Sequence, residues 1–527
     1  MNKKIQVWLP LLFSITMIVG IFFGYKMRDN MPGKNFFTID KASPVEEVLN
    51  LINNKYVDDI KGDVLGDTAI IAMLNKLDPH SVFIPREQLQ QVNEELSGQF
   101  YGVGIEFNII DDTINVINVL PDGPSFKAGL KTGDKFIKVE DSVVAGVKIT
   151  NERVRKLLRG DLDTKINITV LRNEGQKKFI VTRDIIPVTS IDAGYIITPG
   201  IGYIKISKFS QSTYREFMQT LERLQKQGLT KLIVDVRGNP GGILDQATEI
   251  ADEFLDGDKL ITYTEGIHFP KKEYRCKRQG LFEKGELVLL IDEGAASASE
   301  ILAGALQDWD RGTVIGRRSF GKGLVQEQYD LSDGSALRLT VARYYTPIGR
   351  SIQRPYTKGG KAYYDEISNR FHDGEVLTAD SVKNDTSKVY RTIRGKKVYG
   401  GGGITPDIFI PIDTGNYSIN AAKIYLSGTI GDFAYKYYLQ HLPQLEVYKS
   451  PADYIKGFNL SNEDWLQFGS FSKKDSVSIN NITAGEKNEI LLRIKSSVAR
   501  HIWRSEGFFE VYNTNDTAMK KALEILH

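Results

Sequence analysis

The sequence predicts an α/β core that is preceded by a small β-rich domain and followed by a mainly helical extension. Four short apolar strands separated by helix-spaced apolar residues indicate the core. These strands are predicted at 201–206, 232–236, 287–291 and 313–315. Between 96 and 187 short strands that alternate in hydrophobicity or run apolar are typical of a small β domain. In the extension, one helical face carries Leu491, Ile494, Val498 and Ile502.

Length and composition indicate a globular protein of several domains. The chain has 527 residues, of which 41% are hydrophobic and 25% are charged, so three or four domains are expected. The 68 basic and 66 acidic side chains leave a net charge of +2, and no basic cluster supports nucleic-acid binding. The single cysteine, Cys276, excludes an internal disulfide. No pattern indicates a metal or a cofactor.

An uncharged apolar segment near the start of the chain predicts a membrane anchor. No charged residue occurs from Ile5 to Tyr25, and residues 7–25 are long enough to cross a bilayer. No A-x-A pattern follows before Lys26, so a retained transmembrane helix is favoured over a cleaved signal peptide. Basic residues on the two sides of the segment nearly balance, which leaves its orientation open.

Ser297 lies where an α/β sheet places a nucleophile. The apolar strand 287–291 is followed by a tight turn and by Gly294-Ala-Ala-Ser-Ala-Ser-Glu300, which begins a helix. A helix start at the carboxyl edge of a sheet favours developing negative charge. Ser297 and Glu300 also fit the S-x-x-E capping box, so helix capping alone would explain either residue.

Two further segments complete a candidate site. After strand 232–236, the turn Arg237-Gly-Asn-Pro-Gly-Gly242 would let backbone N–H groups approach a ligand closely, although an ordinary glycine-rich turn has the same composition. Lys322, in Phe320-Gly-Lys-Gly-Leu-Val-Gln326, is a candidate general base. That role requires its pKa to fall from about 10.4 toward neutrality, for which burial beneath the neighbouring apolar residues is the expected cause.

Two other chemistries find less support. None of the six histidines lies beside a strand-turn motif, and Ser297 lacks the G-x-S-x-G elbow, so a Ser-His-Asp triad stays open without positive support. The segment Gly316-Arg-Arg-Ser-Phe-Gly-Lys322 satisfies the first seven positions of a Walker A loop. However, Gly323 stands where Ser or Thr would bind Mg²⁺, and residues 324–342 predict a β-hairpin instead of a helix.

Several motifs in order resemble the C-terminal processing peptidases, the carboxyl-terminal or tail-specific proteases of peptidase family S41. The resemblance covers about residues 45 to 412 and departs from the family's usual Gly-Ser-Ala-Ser run at Ala295. It implies a serine endopeptidase without a cofactor, whose core is ClpP/crotonase-like. The segments that carry it are Leu77-Asp-Pro-His-Ser81, Asp235–Gly242, Gly294–Asp308, Phe320–Gln326, Tyr344–Gln353 and Gly403–Asp407.

The resemblance also assigns roles to individual residues. The implied catalytic residues are Ser297 as nucleophile, Lys322 as general base and Gln326 as the group that orients the lysine. The other implied site residues are Glu300 as an auxiliary group, and the backbone N–H groups of Gly241 or Gly242 with Ala298 as the oxyanion hole. Ser299 remains a second candidate nucleophile.

The segment 96–187 resembles a PDZ domain, chiefly through the Ala-Gly-Leu turn and Gly-Asp pair within Pro124–Asp134. The implied peptide-binding loop is Gly102, Val103, Gly104 and Ile105, although a simple β-turn would explain its glycines equally. The implied partners are protein or peptide substrates with free C-termini, whose docking would shift this domain and assemble the catalytic site. A homodimer and an adaptor protein are further candidates.

The expected domain order follows from these assignments. It is a membrane anchor at 1–35, a helical region at 36–95, the PDZ domain at 96–187, the protease core at 188–415 and a helical extension at 416–527. The polar stretch 357–397 is expected to be a surface insertion. The resemblance implies a single-pass protein of the inner (cytoplasmic) membrane, with its catalytic domain in the periplasm. The alternative function is an inactive PDZ scaffold that binds protein C-termini, against which the intact serine and lysine motifs argue.

Overall fold

The computed structural model describes residues 8, 10, 13–23, 43–58, 60, 62–382, 388–412 and 418–527. The chain divides into two compact units, Met1–Ile70 and Ile71–His527. The first unit contains α1 (Pro44–Lys55) and most of α2 (Gly62–Leu74). α1 begins where the Ser43 hydroxyl accepts a hydrogen bond from the Glu46 N–H at 3.3 Å, as an N-cap does.

The predicted anchor at 7–25 lies partly outside the described residues. Residues 13–23 are helical. Within the described ranges, no helix has both the length and the apolar character that a membrane span requires.

The second unit begins with a small β domain that is held between two pairing linkers. Its core consists of fully buried residues that alternate along the strands, such as Ile114, Val116, Ile166, Ile168 and Val170. The elements up to its end are β1 (Val82–Ile84), α3 (Arg86–Ser97), β2 (Gln99–Gly102), β3 (Ile105–Ile110), β4 (Thr113–Val119), α4 (Pro124–Ala128), β5 (Lys135–Val139), β6 (Ser142–Val143), α5 (Asn151–Leu158), β7 (Lys165–Arg172), β8 (Gly175–Thr182) and β9 (Asp184–Pro187). The sheet order is β3-β4-β5-β7-β8, and the linker strands β2 and β9 pair antiparallel beside it.

The remaining sheet strands and helices form the predicted α/β core. They are β10 (Ile191–Thr198), β11 (Ile201–Ile206), α6 (Thr213–Lys226), β12 (Lys231–Asp235), α7 (Leu244–Asp252), β13 (Leu260–Gly266), β14 (Phe269–Arg275), β15 (Glu286–Ile291), α8 (Ala298–Asp308), β16 (Thr313–Gly316), β17 (Leu324–Asp330), β18 (Ala336–Tyr345), α9 (Gly360–His372), β19 (Val389–Arg391), β20 (Lys397–Tyr399) and β21 (Ile408–Phe409). The likeness of this core to ClpP and crotonase stays a prediction.

The six-stranded sheet of the core places three loops at one edge. Its order is β10-β11-β12-β15-β16-β21, and every pair except β10 with β11 is parallel. The neighbouring strands β12, β15 and β16 therefore all end at the same edge. From that edge leave the glycine turn 236–242, the serine turn 292–297 and the loop 317–323 that carries Lys322, which we call the lysine loop. Ligand sites of α/β sheets lie at such an edge.

The two strands that follow the lysine loop, β17 and β18, belong to a second, antiparallel sheet. It has the order β1-β18-β13-β14, and β17 also pairs with β18. The β17–β18 hairpin confirms that a strand, not the helix of a Walker A loop, follows Lys322.

Within the predicted surface insertion 357–397, α9 exposes most of its residues but buries two side chains against the core. Its residues Tyr363 and Arg370 are 2% and 3% exposed. Both side chains pack against the core, because Tyr363 contacts His80 and Arg370 donates hydrogen bonds to the lysine loop. A 3-10 helix at Ala379–Ser381 and the β19–β20 hairpin follow.

The C-terminal extension is helical and contacts both the small β domain and the core. Its helices are α10 (Ile419–Leu426), α11 (Thr429–Gln440), α12 (Leu442–Leu445), α13 (Pro451–Gly457), α14 (Asn462–Ser472), α15 (Ala484–Tyr512) and α16 (Thr517–Leu526). The Tyr435 hydroxyl donates to the carbonyl of Val116 in β4 at 3.1 Å. α15 is kinked at Trp503 and Arg504, where Arg504 has φ 58°. Beyond the kink, Glu506 accepts a hydrogen bond from Gly194 N–H in β10 at 3.1 Å.

Candidate active site

Ser297 is held in a strained conformation at the start of α8. Its φ of 54° and ψ of −112° lie outside the regions that L-residues prefer, which is a feature of functional turns. The Glu300 carboxylate accepts the Ser297 N–H at 2.9 Å, so the backbone half of the capping box is formed. The Ser297 hydroxyl lies where a capping box places it, but it accepts no capping hydrogen bond of normal geometry. Half-buried Ser297 therefore keeps its hydroxyl available to the cleft, whereas Ser299 is fully buried and bonded to Asn239 O.

Glu300 joins the serine turn to the lysine loop. Oε2 accepts the N–H groups of Ser297 and Lys322 at 2.9 and 2.8 Å. Oε1 accepts the Gly321 N–H at 2.7 Å and the Ser319 hydroxyl at 2.5 Å. Burial raises the pKa of Glu300, and these four donors oppose the rise. One carboxylate thus fixes the backbones of both predicted catalytic residues.

The surroundings of Lys322 lower the pKa of its amine. Loss of solvation lowers its pKa first, and the positive charge of Arg338 lowers it further, against Glu300 and Asp78, which raise it. Lys322 Nζ donates to Gln326 Oε1 at 3.0 Å. Between the side chains of Ser297 and Lys322 no direct hydrogen bond is formed, which is common in substrate-free sites because such bonds tighten on substrate binding.

Gln326 is oriented by the segment that contains His80. Gln326 Nε2 donates to the His80 carbonyl, which leaves Oε1 facing Lys322. Asp78 fixes that segment, since its carboxylate accepts the N–H groups of His80 and Ser81 at 2.8 and 2.9 Å. The sequence predicted the segment as a motif but gave no role for it.

His80 does not supply the base of a Ser-His-Asp triad in this arrangement. Its Nε2 lies 2.9 Å from the Tyr363 hydroxyl, and its ring does not line the cleft that contains Ser297. Burial, together with the charge of Lys322, lowers the pKa of His80 to about 4.

The glycine turn approaches Ser297 closely. A Cβ on Gly241 would lie 2.7 Å from Ser297 Cβ and 3.0 Å from Ala298 N, so only glycine fits. The Gly241 N–H donates to Asn239 Oδ1 at 2.8 Å. In contrast, the N–H groups of Gly242 and Ala298 have no acceptor among the described residues. Of the three predicted oxyanion donors, these two are therefore the ones left free for a ligand.

Tyr344 is a site residue that the sequence did not single out. Its buried hydroxyl lies 2.6 Å from the Lys322 carbonyl and 3.1 Å from the Ser297 carbonyl. Tyr344 therefore contacts the carbonyls of the two residues whose N–H groups bind Glu300. Only its place within a resembling motif marked it in the sequence.

These groups surround one cleft of about 790 Å³. Ser297, Lys322, Gln326, Gly241 and Gly242 all line it. Apolar side chains form much of the remaining wall, among them Phe209, Ile243, Leu244, Ile301 and Leu324. Within the described ranges, no group of His, Cys, Asp and Glu is placed to hold a metal ion.

A separate cavity of about 120 Å³ lies at the predicted peptide-binding loop of the small β domain. Gly102, Val103, Gly104 and Ile105 all line it, and Gly104 has φ 74°. Arg155 of α5 and Arg159, which follows that helix, also line the cavity and add positive charge that the sequence did not indicate. Arg159 also stacks over Phe100 at 4.5 Å and pairs with Glu94.

A serine and a lysine in one cleft at the edge of an α/β sheet, together with a separate small β domain, are the arrangement of a serine hydrolase. Residues 200–359 match peptidase family S41, and residues 102–182 match the PDZ domain. Residues 421–504 match a family of unknown function, DUF8443.

Named relatives agree with these matches. The chain is 35% identical over 313 residues to a carboxy-terminal-processing protease of Bartonella bacilliformis, covering 58% of this chain and 71% of the relative. It is 30% identical over 390 residues to a probable CtpA-like serine protease of Staphylococcus epidermidis, covering 71% of this chain and 78% of the relative. The chain belongs to peptidase family S41 and is a serine protease of the C-terminal-processing type with a PDZ domain.

Two solved structures are also similar. The photosystem II D1 C-terminal processing protease is 25% identical, with 69% of this chain and 86% of that chain covered and a TM-score of 0.35. The PDZ domain of a Vibrio cholerae carboxy-terminal protease in complex with peptide is 24% identical, with 17% of this chain and 97% of that chain covered and a TM-score of 0.16.

Proposed function

We propose that this protease hydrolyses peptide bonds with a Ser297–Lys322 dyad. The observation that carries the proposal is the shared cleft, in which a strained serine at a helix start faces a poorly solvated lysine. Lys322 accepts the Ser297 proton as Oγ attacks the scissile carbonyl, and the same lysine then protonates the leaving amine. Water hydrolyses the acyl-enzyme in a second round of proton transfer through Lys322.

The oxyanion of the tetrahedral intermediate would be bound by the N–H groups of Gly242 and Ala298. Both are free of acceptors in the described residues, and preformed donors stabilise the charge that develops at this point. Gln326 keeps Lys322 Nζ in place through its oriented amide oxygen. Removal of one oxyanion-hole donor typically lowers kcat by 10²–10³, which is about 2.7–4 kcal/mol.

The dyad is tested by cleavage of an unfolded protein and of a fluorogenic peptide. We expect Ser297→Ala and Lys322→Ala to lose cleavage by at least about 10³-fold, the order that removal of a catalytic pair member costs. Ser299→Ala and exposed Lys226→Ala are the matched controls and should keep wild-type rates. Wild-type rates in Lys322→Ala would show that another group is the base.

We also propose that the PDZ domain selects substrates by their free C-terminal carboxylate. The loop cavity offers backbone N–H groups and the nearby guanidinium of Arg155, which suit an anionic chain end. A peptide with a free C-terminus should bind and be cleaved better than the same peptide amidated at its C-terminus. Equal binding of the two peptides would remove the carboxylate from the recognition mechanism.

The third part of the proposal is location. The uncharged run from Ile5 to Tyr25 supports a membrane anchor. The inner membrane, and a catalytic domain outside the cytoplasm, are what the resemblance to the C-terminal processing peptidases implies. Protease added to spheroplasts should then degrade the catalytic domain without lysis. Protection until lysis would contradict this orientation. Association with a second copy or an adaptor remains a prediction that size measurement of the detergent-solubilised protein addresses.

A further inference from the structure

Arg370 in α9 caps the lysine loop. Its Nη1 donates to the carbonyls of Arg318 and Ser319 at 3.1 and 2.8 Å, and its Nη2 donates to the Phe320 carbonyl at 3.4 Å. These three consecutive residues have no regular structure, and Lys322 follows two residues later. Buried carbonyls require hydrogen-bond donors. The Arg370 side chain, which is 3% exposed, supplies these donors to three carbonyls of the lysine loop.

Glu366, one turn earlier in α9, fixes that guanidinium. Its Oε1 accepts Arg370 Nε and Arg318 Nη2, each at 3.0 Å, and its Oε2 accepts Arg354 Nη1. Burial alone would raise the pKa of Glu366, but Arg370 and the other two arginines hold it at about 2. The carboxylate is therefore ionised wherever the enzyme works. Arg318 is further bound to Glu375 through two hydrogen bonds of 2.6 and 2.8 Å.

The same helix contacts the segment that orients Gln326. The Tyr363 hydroxyl lies 2.9 Å from His80 Nε2, and its ring packs edge-on against Phe320 at 6.0 Å. The Arg354 guanidinium lies over both the Phe320 and Tyr363 rings, at 4.1 and 4.0 Å. α9 thus touches both supports of the lysine: the loop before it and the segment behind Gln326.

We infer that Arg370 is a positioning residue for the catalytic lysine, held in place by Glu366. The inference rests on the proposed role of Lys322 as general base. α9 begins at Gly360, immediately beyond the 200–359 match to family S41, so the positioning comes from outside the matched segment. A base must be placed within hydrogen-bond reach of its proton, and a small displacement is enough to lower kcat by orders of magnitude.

The test compares Arg370→Met and Glu366→Gln with Arg311→Met. Arg311 is a matched control because it also donates to three backbone carbonyls, those of Phe254, Gly285 and Phe282 at 2.8, 2.9 and 2.7 Å. It does not line the catalytic cleft. All three variants should lose stability. We expect only the two α9 variants to lose at least tenfold in kcat per folded molecule, with KM little changed.

Two further readouts separate positioning from general destabilisation. Labelling of Ser297 by a fluorophosphonate should slow in the α9 variants, and the rise of kcat/KM with pH should move toward the ordinary lysine range as Lys322 gains solvent. Arg370→Lys should recover part of the lost rate, because an ammonium still donates to one or two of the carbonyls.

The outcomes are distinguishable from those of the dyad test. If Lys322→Ala is inactive while Arg370→Met and Glu366→Gln keep wild-type kcat and pH profile, the positioning role is overturned and the dyad stands. Losses that match Arg311→Met in size and leave the pH profile unchanged also overturn it. If Arg370→Met does not fold, Glu366→Gln decides by the same measurements. An active Lys322→Ala would overturn the dyad itself.

Discussion

Replacing Glu300 by glutamine tests how strongly the two catalytic backbones are tied together. In the glutamine variant one carboxylate oxygen becomes an NH₂ group. If that group took the Oε2 position, the N–H groups of both Ser297 and Lys322 would lose their acceptor. At the Oε1 position the Gly321 N–H is the only backbone donor that loses its acceptor, because the Ser319 hydroxyl can rotate to accept from the amide, although its own proton then loses the carboxylate. The side chain will therefore adopt the second orientation.

The size of the effect follows from this count. One unsatisfied buried donor costs about 1–3 kcal/mol, and loss of the charge weakens the two remaining hydrogen bonds by about 1 kcal/mol each. We expect the free energy of unfolding of the core to fall by at least about 3 kcal/mol, since the displaced Ser319 proton adds to this count. Since Gly321 precedes Lys322 directly, we also expect kcat per folded molecule to fall at least tenfold.

Glu253→Gln provides the matched control. Glu253 is 1% exposed and accepts the Tyr214 hydroxyl, Arg278 Nε and the Leu281 N–H at 2.6, 3.2 and 2.8 Å, away from the cleft. Urea unfolding followed by circular dichroism should show similar losses in both variants, whereas kcat with titrated active sites should fall only in Glu300→Gln. A Glu300→Gln protein with wild-type kcat, or one destabilised by less than about 1 kcal/mol, would refute the reasoning.

Two more predictions concern charge and space in the cleft. Arg338→Gln removes a positive charge that lowers the pKa of Lys322, so the rise of kcat/KM should move to higher pH. The control Arg343→Gln, at an exposed position, should leave the pH profile unchanged. Identical profiles in the two variants would show that Arg338 does not lower the pKa of Lys322. Gly242→Ala places a Cβ 2.0 Å from a backbone carbonyl oxygen and should lower kcat at least about 10²-fold, as loss of an oxyanion donor does. Gly238→Ala shares the positive φ without any clash and should keep most activity, and equal rates in the two variants would contradict a spatial requirement at Gly242.

The strand-turn-helix units were predictable because their signals are local. Apolar runs such as 287–291, followed by glycine and then by a capping motif, show a strand, a turn and a helix start within about ten residues. The order of these units then places the serine turn, the glycine turn and the lysine loop at one sheet edge. The structure has this arrangement.

The supports of the site were not predictable because they are long-range and polar. The sequence predicted a capping or auxiliary role for Glu300 without indicating its partners, and the residue also binds Gly321 and Lys322 on another loop. The stretch that contains α9 has the composition of a solvated surface, although two of its charged residues, Arg370 and Glu375, are buried in ion pairs. Similarly, the use of the Gly241 N–H by Asn239 depends on a turn conformation that composition does not specify.

The helical extension changes how the PDZ domain is attached to the protease. Two linker strands, β2 and β9, would by themselves form a single hinge. α15, however, contacts the PDZ domain at its kink and the core after it, through Arg504 to the Val119 carbonyl at 2.8 Å and Glu506 to Gly194 at 3.1 Å. The PDZ domain, the core and the helical extension are therefore connected in a closed ring. A rotation at the linkers must be matched by a second movement at the kink or must break the ring.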